Sequence, residues 1–344
     1  NSGCKPGQDA QIARRVDGTL IAPCYLDAPG CPVGSKFRRT PSDAFQFIPR
    51  KIAHNTMPTP FTCVIPRAAL AVPARATLFG HDVLGSAEEV AAPAVATSAQ
   101  DHNFAYCATP QAGMSAADKP AVLAAFGDFS RLAPVVDRLQ QGFLNFMMLG
   151  RVMVHPKGFA ADPAFKNASG GPVLAPGSLF YEGDGQGALL GGALTALAPD
   201  YERASLDAPS MNLSTILPRS AGFDELNGAL AAGYPDPLTR TIALNVAQVL
   251  LDRGEANGYA RHMTRTPLAN SPLHNVLLQV AVGDHRFPQI TAETLARTAK
   301  VYARRPVFDP GRSLDRISLY GVEPAGGRNL YNSIVSVWDS GPLR

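Results

Sequence analysis

The chain has 344 residues, with 31 Lys and Arg against 28 Asp and Glu, 46% hydrophobic residues and five cysteines. That length accommodates one large α/β domain with an insertion, or two modest domains. The small positive balance, carried by scattered arginines with no basic stripe, gives no basis for a nucleic-acid partner. The longest apolar run, Phe143–Val154, is too short for a membrane span and holds Asn145 and Arg151.

Residues 1–60 are rich in Pro, Gly, Cys and Arg without sustained periodicity, so they read as an irregular arm with at most an edge hairpin. All five cysteines fall in the first third, none at zinc-site spacing. Cys24 and Cys31 flank the Pro/Gly turn YLDAPG and suit a small disulfide loop. Cys63 and Cys107 lie in strand-like stretches and suit a staple between the arm and the sheet; buried free thiols are the alternative. Clustered Cys with high Pro and Gly points to an oxidising compartment, hence a secreted or periplasmic protein with its signal peptide removed. Cys4 is the odd cysteine. It follows Asn-Ser-Gly, as at the end of a bacterial lipoprotein signal, but a matured lipoprotein begins at that Cys. A free or partnered thiol is therefore expected.

ARATLFG, ending at Gly80, reads as a core strand, followed by His81-Asp82-Val83 and a helix opened by Ser86 with acidic residues in its first turn. Phe104–Thr109 is the next strand. Ala116–Met153 is mostly helical, with Leu139, Phe143, Phe146 and Met147 forming a core-packing stripe. Ser178–Glu182 is a short strand, 183–188 a Gly-rich turn, and Leu189–Leu197 a helix stopped by Pro199. Arg203–Ala208 is a strand. Pro209–Thr266 has the breaks and amphipathic helices of an insertion, including Leu238–Leu251. Val276–Val282 is a continuous apolar run expected to be buried on both faces, and it leads to Gly283-Asp284-His285. Thr291–Ala303 is a helix with Thr291 as N-cap, and Ser333–Trp338 is the last strand. Alternating strands and helices predict an α/β fold: a doubly wound, mostly parallel sheet. The expected division is an arm (1–60), a first core part (61–208), a helical cap insertion (209–266) and a second core part (267–344).

In such sheets functional groups collect beyond the carboxyl ends of strands. Three such places stand out: His81-Asp82, Gly183–Ala188 and Gly283-Asp284-His285. The strand, sharp turn and helix around Gly185 match the nucleophile elbow of the pattern G-x-S-x-G, except that Gly185 stands where that pattern has Ser. Asp184 is a poor alternative nucleophile, because its i±2 neighbours, Glu182 and Gln186, are not small. Two carboxylates in EGDGQG are too few for calcium, and the Lys-Ser/Thr of a phosphate loop is absent. No cofactor or metal is expected.

Over roughly Phe61–Gly341, the phrases LFGHDVLGS, CATPQAGMS, RLQQGFLNF, YEGDGQGALLGGAL, LDAPSMNLSTILPRS and VGDHRFPQITAETLART together resemble the α/β-hydrolase superfamily, specifically its secreted bacterial esterase- and lipase-like members. Relatives have phrases like HGLLGS, GNSQGG and GDHQV. The resemblance implies that Gly185 occupies the nucleophile position and Asp284 is the triad acid. It further implies that the oxyanion donors are the backbone amides of Gln186 and of Asp82 or Val83. His81 and Asp184 would line the pocket, with His81 in a structural hydrogen bond. Asp82 and Ala188 stand where relatives have Gly. The base is expected after the last strand, yet no His follows His285. Hence the expectation is an ester-hydrolase scaffold that is inactive in this form, through either a deliberate Ser→Gly change or natural drift. The alternative is a natural pseudo-hydrolase that binds a small ester or apolar ligand.

Overall fold

Ile12–Pro23 (β1) and Thr56–Pro66 (β2) pair antiparallel along almost their whole length. The N-terminal arm therefore contains a regular strand, β1, at the edge of the sheet. Its alternation is masked by the charges Arg14, Arg15 and Asp17, which a strand at the edge of a sheet tolerates. Gly18 lies opposite Phe61, and a Cβ there would come within 2.5 Å of the Phe61 ring, so the glycine makes room for the aromatic. The computed structural model describes residues 10–38, 48–308, 318–326 and 332–341. Cys4 lies outside them.

The chain forms two compact units, Asn1–Phe180 and Tyr181–Arg344. In the first, Ala74–Gly80 (β3) and Phe104–Ala108 (β4) complete the strand order β1-β2-β4-β3, with β2–β4 antiparallel and β3–β4 parallel. Both expected disulfides are present. Cys63 and Cys107 are direct cross-strand partners on β2 and β4, and Cys24–Cys31 closes a loop around buried Leu26 and Phe37. Ser86 opens a helical stretch as expected, through a reciprocal capping box with Glu89, but its first turn (Ala87–Ala91) is a 3-10 turn before α1 (Pro93–His102). The predicted long helix is broken at Gly127-Asp128 into α2 (Lys119–Gly127) and α3 (Leu132–Val154), because Asp128 is extended and caps a new turn. Leu139, Phe143 and Phe146 on α3 are buried, each contributing roughly 1.5–3 kcal/mol. Met147 is half-buried.

The second unit takes in the end of Leu174–Asp184 (β5), then Arg203–Asp207 (β6), Asn275–Ala281 (β7), Tyr302–Ala303 (β8) and Ile334–Trp338 (β9), in the order β5-β6-β7-β9-β8. Every pairing described within it is parallel. Its helices are α4 (Gln186–Leu197), α5 (Leu213–Ile216), α6 (Asp224–Gly233), α7 (Pro237–Leu251), α8 (Ala260–Thr264) and α9 (Gln289–Ala299). Four of them, α5 to α8, fall inside 209–266. Mostly parallel strands with flanking helices make this an α/β fold. Among the described residues no helix is long and apolar enough to cross a membrane.

Three local expectations are corrected here. The α4 helix starts at Gln186 rather than Leu189, because small residues let it begin directly at the turn. Thr291 is not the N-cap of α9: the helix begins at Gln289, and the Thr291 hydroxyl donates to Pro288 O. Lys300, in the left-handed region, ends that helix before β8. β7 is not buried on both faces. Val276, Leu278 and Val280 are buried, whereas Leu277 is 38% exposed. Its second face, Asn275, Leu277, Gln279 and Ala281, is exposed or half-buried, with Gln279 in register with Asp207.

Candidate functional site

The turn at the end of β5 is held by small residues at positions where nothing larger fits. Gly185 has φ 54° and ψ −106°, a conformation that strains any residue with a Cβ. A Cβ on Gly183 would lie 2.3 Å from Gly187 O, so α4 starts in contact with the strand it leaves. Tyr181 reinforces this: its hydroxyl donates to Gly187 O at 2.6 Å, and its ring fills the space a Cβ on Gly191 would need. Gly185 also accepts the first helical bonds, from Ala188 and Leu189. Gln186 is thus the first residue of a twelve-residue helix, at its positive dipole end, and its side chain is buried. Asp184 is exposed, just before the turn.

Asp284 lies past β7 on the same carboxyl edge of this unit's strands. One strand, β6, separates β5 from β7, which places the two strands about 10 Å apart. Asp284 Oδ1 accepts the amides of Arg286 (2.7 Å) and Phe287 (3.0 Å) and so builds its own turn; Oδ2 takes no part in those bonds. That turn is fastened to the 220–223 stretch. Ala221 N–H donates to His285 O at 2.9 Å, the Ser220 hydroxyl donates to Arg286 O, and Phe223 meets Phe287 edge to face. His274 precedes β7 at the opposite edge, buried against Ala198 O and Tyr201.

Sequence reasoning passed over Asp207, at the end of β6. Its main-chain oxygen accepts the Gly185 amide at 3.0 Å, and it pairs in register with Asp184. Burial, with the neighbouring Glu182 charge adding to it, pushes its carboxyl up to about 6. The Ser205 hydroxyl (3.0 Å) and the Gln279 amide (2.6 Å) oppose that rise. The available signal was an acidic residue ending the strand adjacent to the glycine turn. Glu255 was also passed over. Fully buried, it accepts the amides of Asn212 and Leu213 and the Gln248 side chain, and so fixes the loop that follows β6.

In the first unit, His81 is buried with both ring nitrogens engaged. Nε2 accepts the Gln111 amide at 2.9 Å, so Nδ1 carries the proton and donates to Asp82 O, also at 2.9 Å. Burial lowers its pKa and keeps the ring neutral, which makes it a scaffold for the turn. Of the two alternative backbone donors, the Asp82 amide is already occupied by Glu89 Oε2 at 2.8 Å, while Val83 is half-buried beside it. Nothing in the sequence announced that Glu89, read only as a helix-start acid, reaches back to residue 82. Among the described residues no group of three or more His, Cys, Asp or Glu could hold a metal ion.

Neither a family model nor a curated protein matches this sequence. Solved structures do. The acylaminoacyl peptidase of Pyrococcus horikoshii is similar at 11% identity and a TM-score of 0.44, over 83% of this chain and 35% of that one. Acetyl xylan esterase 1 from Thermoanaerobacterium sp. JW/SL YS485 is similar at 11% identity and a TM-score of 0.46, over 83% and 75%. Prolyl oligopeptidase B from Galerina marginata is similar at 12% identity and a TM-score of 0.45, over 94% and 32%. The chain thus spans about a third of the length of these two peptidases. At such scores the roles of individual residues rest on this chain's own geometry.

Proposed function

We propose that this chain is a secreted carboxylic-ester hydrolase scaffold of the α/β-hydrolase type, with Gly185 at the nucleophile position, and that it does not turn over ester in this form. The observation that carries the reading is the backbone of Gly185. Its positive φ at a strand-to-helix turn, crowded by Gly183 and Gly187, is the strained corner that exposes a nucleophile in G-x-S-x-G hydrolases. Asp284 serves as the triad acid through Oδ2, while Oδ1 fixes its turn. Gln186, at the start of α4, supplies an oxyanion amide; within the first unit, the engagement of the Asp82 amide by Glu89 makes Val83 the better donor of that turn. Asp184 lines the pocket, and His81 orders its turn without exchanging protons. Two disulfides suit an oxidising compartment. The substrate class is a moderately apolar acyl ester.

Replacing Gly185 by Ser tests this. With imidazole added as the base, the folded variant is expected to hydrolyse 4-nitrophenyl butyrate above the wild-type rate. A folded variant equal to wild type, with and without imidazole, contradicts the reading.

A second reading has one specific observation in its favour. Gly185 leaves the corner without a nucleophilic side chain. On this reading the protein is a pseudo-hydrolase that retains a small ester or apolar ligand without cleaving it. Equilibrium dialysis with butyl butyrate separates it from a purely structural role, because only the binding protein retains the ester.

A further inference from the structure

A cleft of about 280 Å³ opens in the first unit between α2, the start of α3 and the loop after Cys31, near the lower end of small-molecule sites. The sequence makes this space in two ways. On α2 the lining positions Ala121 and Ala124, three apart, project nothing beyond Cβ. At the start of α3, Arg131, Pro134, Val135 and Arg138 recur at i, i+3, i+4 and i+7 and so share one face. Apart from Asp118, Arg131 and Arg138, every lining residue is aliphatic or Gly.

Those three charged groups are not equivalent. Arg131 stands at the mouth, its side chain 67% exposed, with Asp128 at 3.4 Å. Arg138 is 7% exposed. Its Nε donates to Asp118 Oδ1 at 2.6 Å and its Nη1 to Cys31 O. Asp118 Oδ2 accepts the amides of Gly113 and Ser115 and the Ser115 hydroxyl. The carboxylate is therefore saturated and offers a ligand nothing. Arg138 Nη2 differs. It has no partner among the described residues, yet it is not one of the side-chain atoms sealed in the interior without a partner. Its two N–H groups are the donors that Arg138 brings to the cleft it lines.

We propose that this cleft binds a small uncharged carbonyl compound, its oxygen accepting from Arg138 Nη2 and its short aliphatic chain lying against Ala121, Pro134 and Val135. The Asp118–Arg138 pair carries no net charge. An anion would give up its hydration for a site that returns no matching charge, whereas a neutral carbonyl gives up far less. That carbonyl gains a bond to a charged donor. Nε and Nη1 are held by the protein, so Nη2 is set in place before the ligand arrives. The inference does not use the hydrolase reading and stands whether or not position 185 supports catalysis.

Equilibrium dialysis of the full chain with 2-octanone, a ketone with no bond for a hydrolase to cleave, tests it. Heptanoate supplies an anion with the same number of heavy atoms. 2-Octanone is expected to bind one per chain, with heptanoate at least tenfold weaker. Ala121→Leu fills the cleft and is expected to weaken 2-octanone at least tenfold. Ala124→Leu, at an exposed helix position, takes its place if that variant does not fold. With the ketone carbon labelled with carbon-13, the bound resonance is expected at or downfield of its position in water, because the oxygen stays hydrogen-bonded. No binding of 2-octanone, heptanoate binding as tightly, unchanged affinity in the folded filled variant, or a bound resonance at its hydrocarbon-solvent position overturns the proposal.

Discussion

The amide of Gly185 donates to the main-chain oxygen of Asp207 at 3.0 Å. The corner that ends β5 is therefore tied to the end of β6, and its shape does not depend on a side chain at 185. Gly183, Tyr181 and Gly187 press on it from the other side. A position held this way keeps its conformation when its residue changes, which is why the fold accommodates Gly where the pattern has Ser.

Gly183→Ala is expected to destabilise strongly, by about 2–4 kcal/mol, because its methyl meets backbone on α4 rather than a flexible side chain. Gly228→Ala, in α6 with open space around it, is expected to stabilise by about 0.5–1 kcal/mol. Urea unfolding of the two variants checks both signs. Equal effects would mean that the β5–α4 contact is looser than described.

Asp207 gives a pH signature. Its folded carboxyl, at about 6, lies above the ordinary value of 3.8, so between these values the folded state binds more protons than the unfolded state. Stability therefore falls as pH rises through that window and levels off above it, by up to about 3 kcal/mol for this one group. Asp207→Asn is expected to flatten that slope and to raise stability near pH 7. Urea midpoints at pH 4.5 and 7.5 measure it, and an unchanged slope would show that the carboxyl is solvated.

Arg138 and Asp118 form a buried pair at 2.6 Å. Asp118 also accepts the amides of Gly113 and Ser115 and the Ser115 hydroxyl. Arg138→Met leaves that carboxylate buried without its counter-charge and is expected to cost about 3–5 kcal/mol. Adding Asp118→Asn to it is expected to recover part of the loss. Thermal melts of the single and double variants decide it, and additive losses would show that the two groups act independently.

The strands β3 to β7, β9 and the glycine corner were legible because each is bounded by Gly, Pro or a capping residue. Both disulfides were legible because each pair sits in stretches that favour its geometry: Cys24 and Cys31 around a turn, Cys63 and Cys107 in facing strands. β1 was not, since Arg14, Arg15 and Asp17 hide its alternation and its partner lies more than thirty residues away. Asp207 and Glu89 were missed for a shared reason. What they do depends on which neighbour the fold brings up: Glu182 and Gln279 for one, the amide of residue 82 for the other. Spacing along the chain carries no record of such neighbours. The Asp284 turn was readable from VGDH, but its fastening to Ser220, Ala221 and Phe223 was not.

The most direct measurement is covalent labelling of folded Gly185→Ser with a fluorophosphonate, imidazole added, read by intact mass and peptide mapping. One adduct at position 185, absent from the wild-type protein, is the predicted result. A folded variant that acquires no adduct there, or the same adducts as wild type elsewhere, would contradict a nucleophile position at the β5–α4 corner.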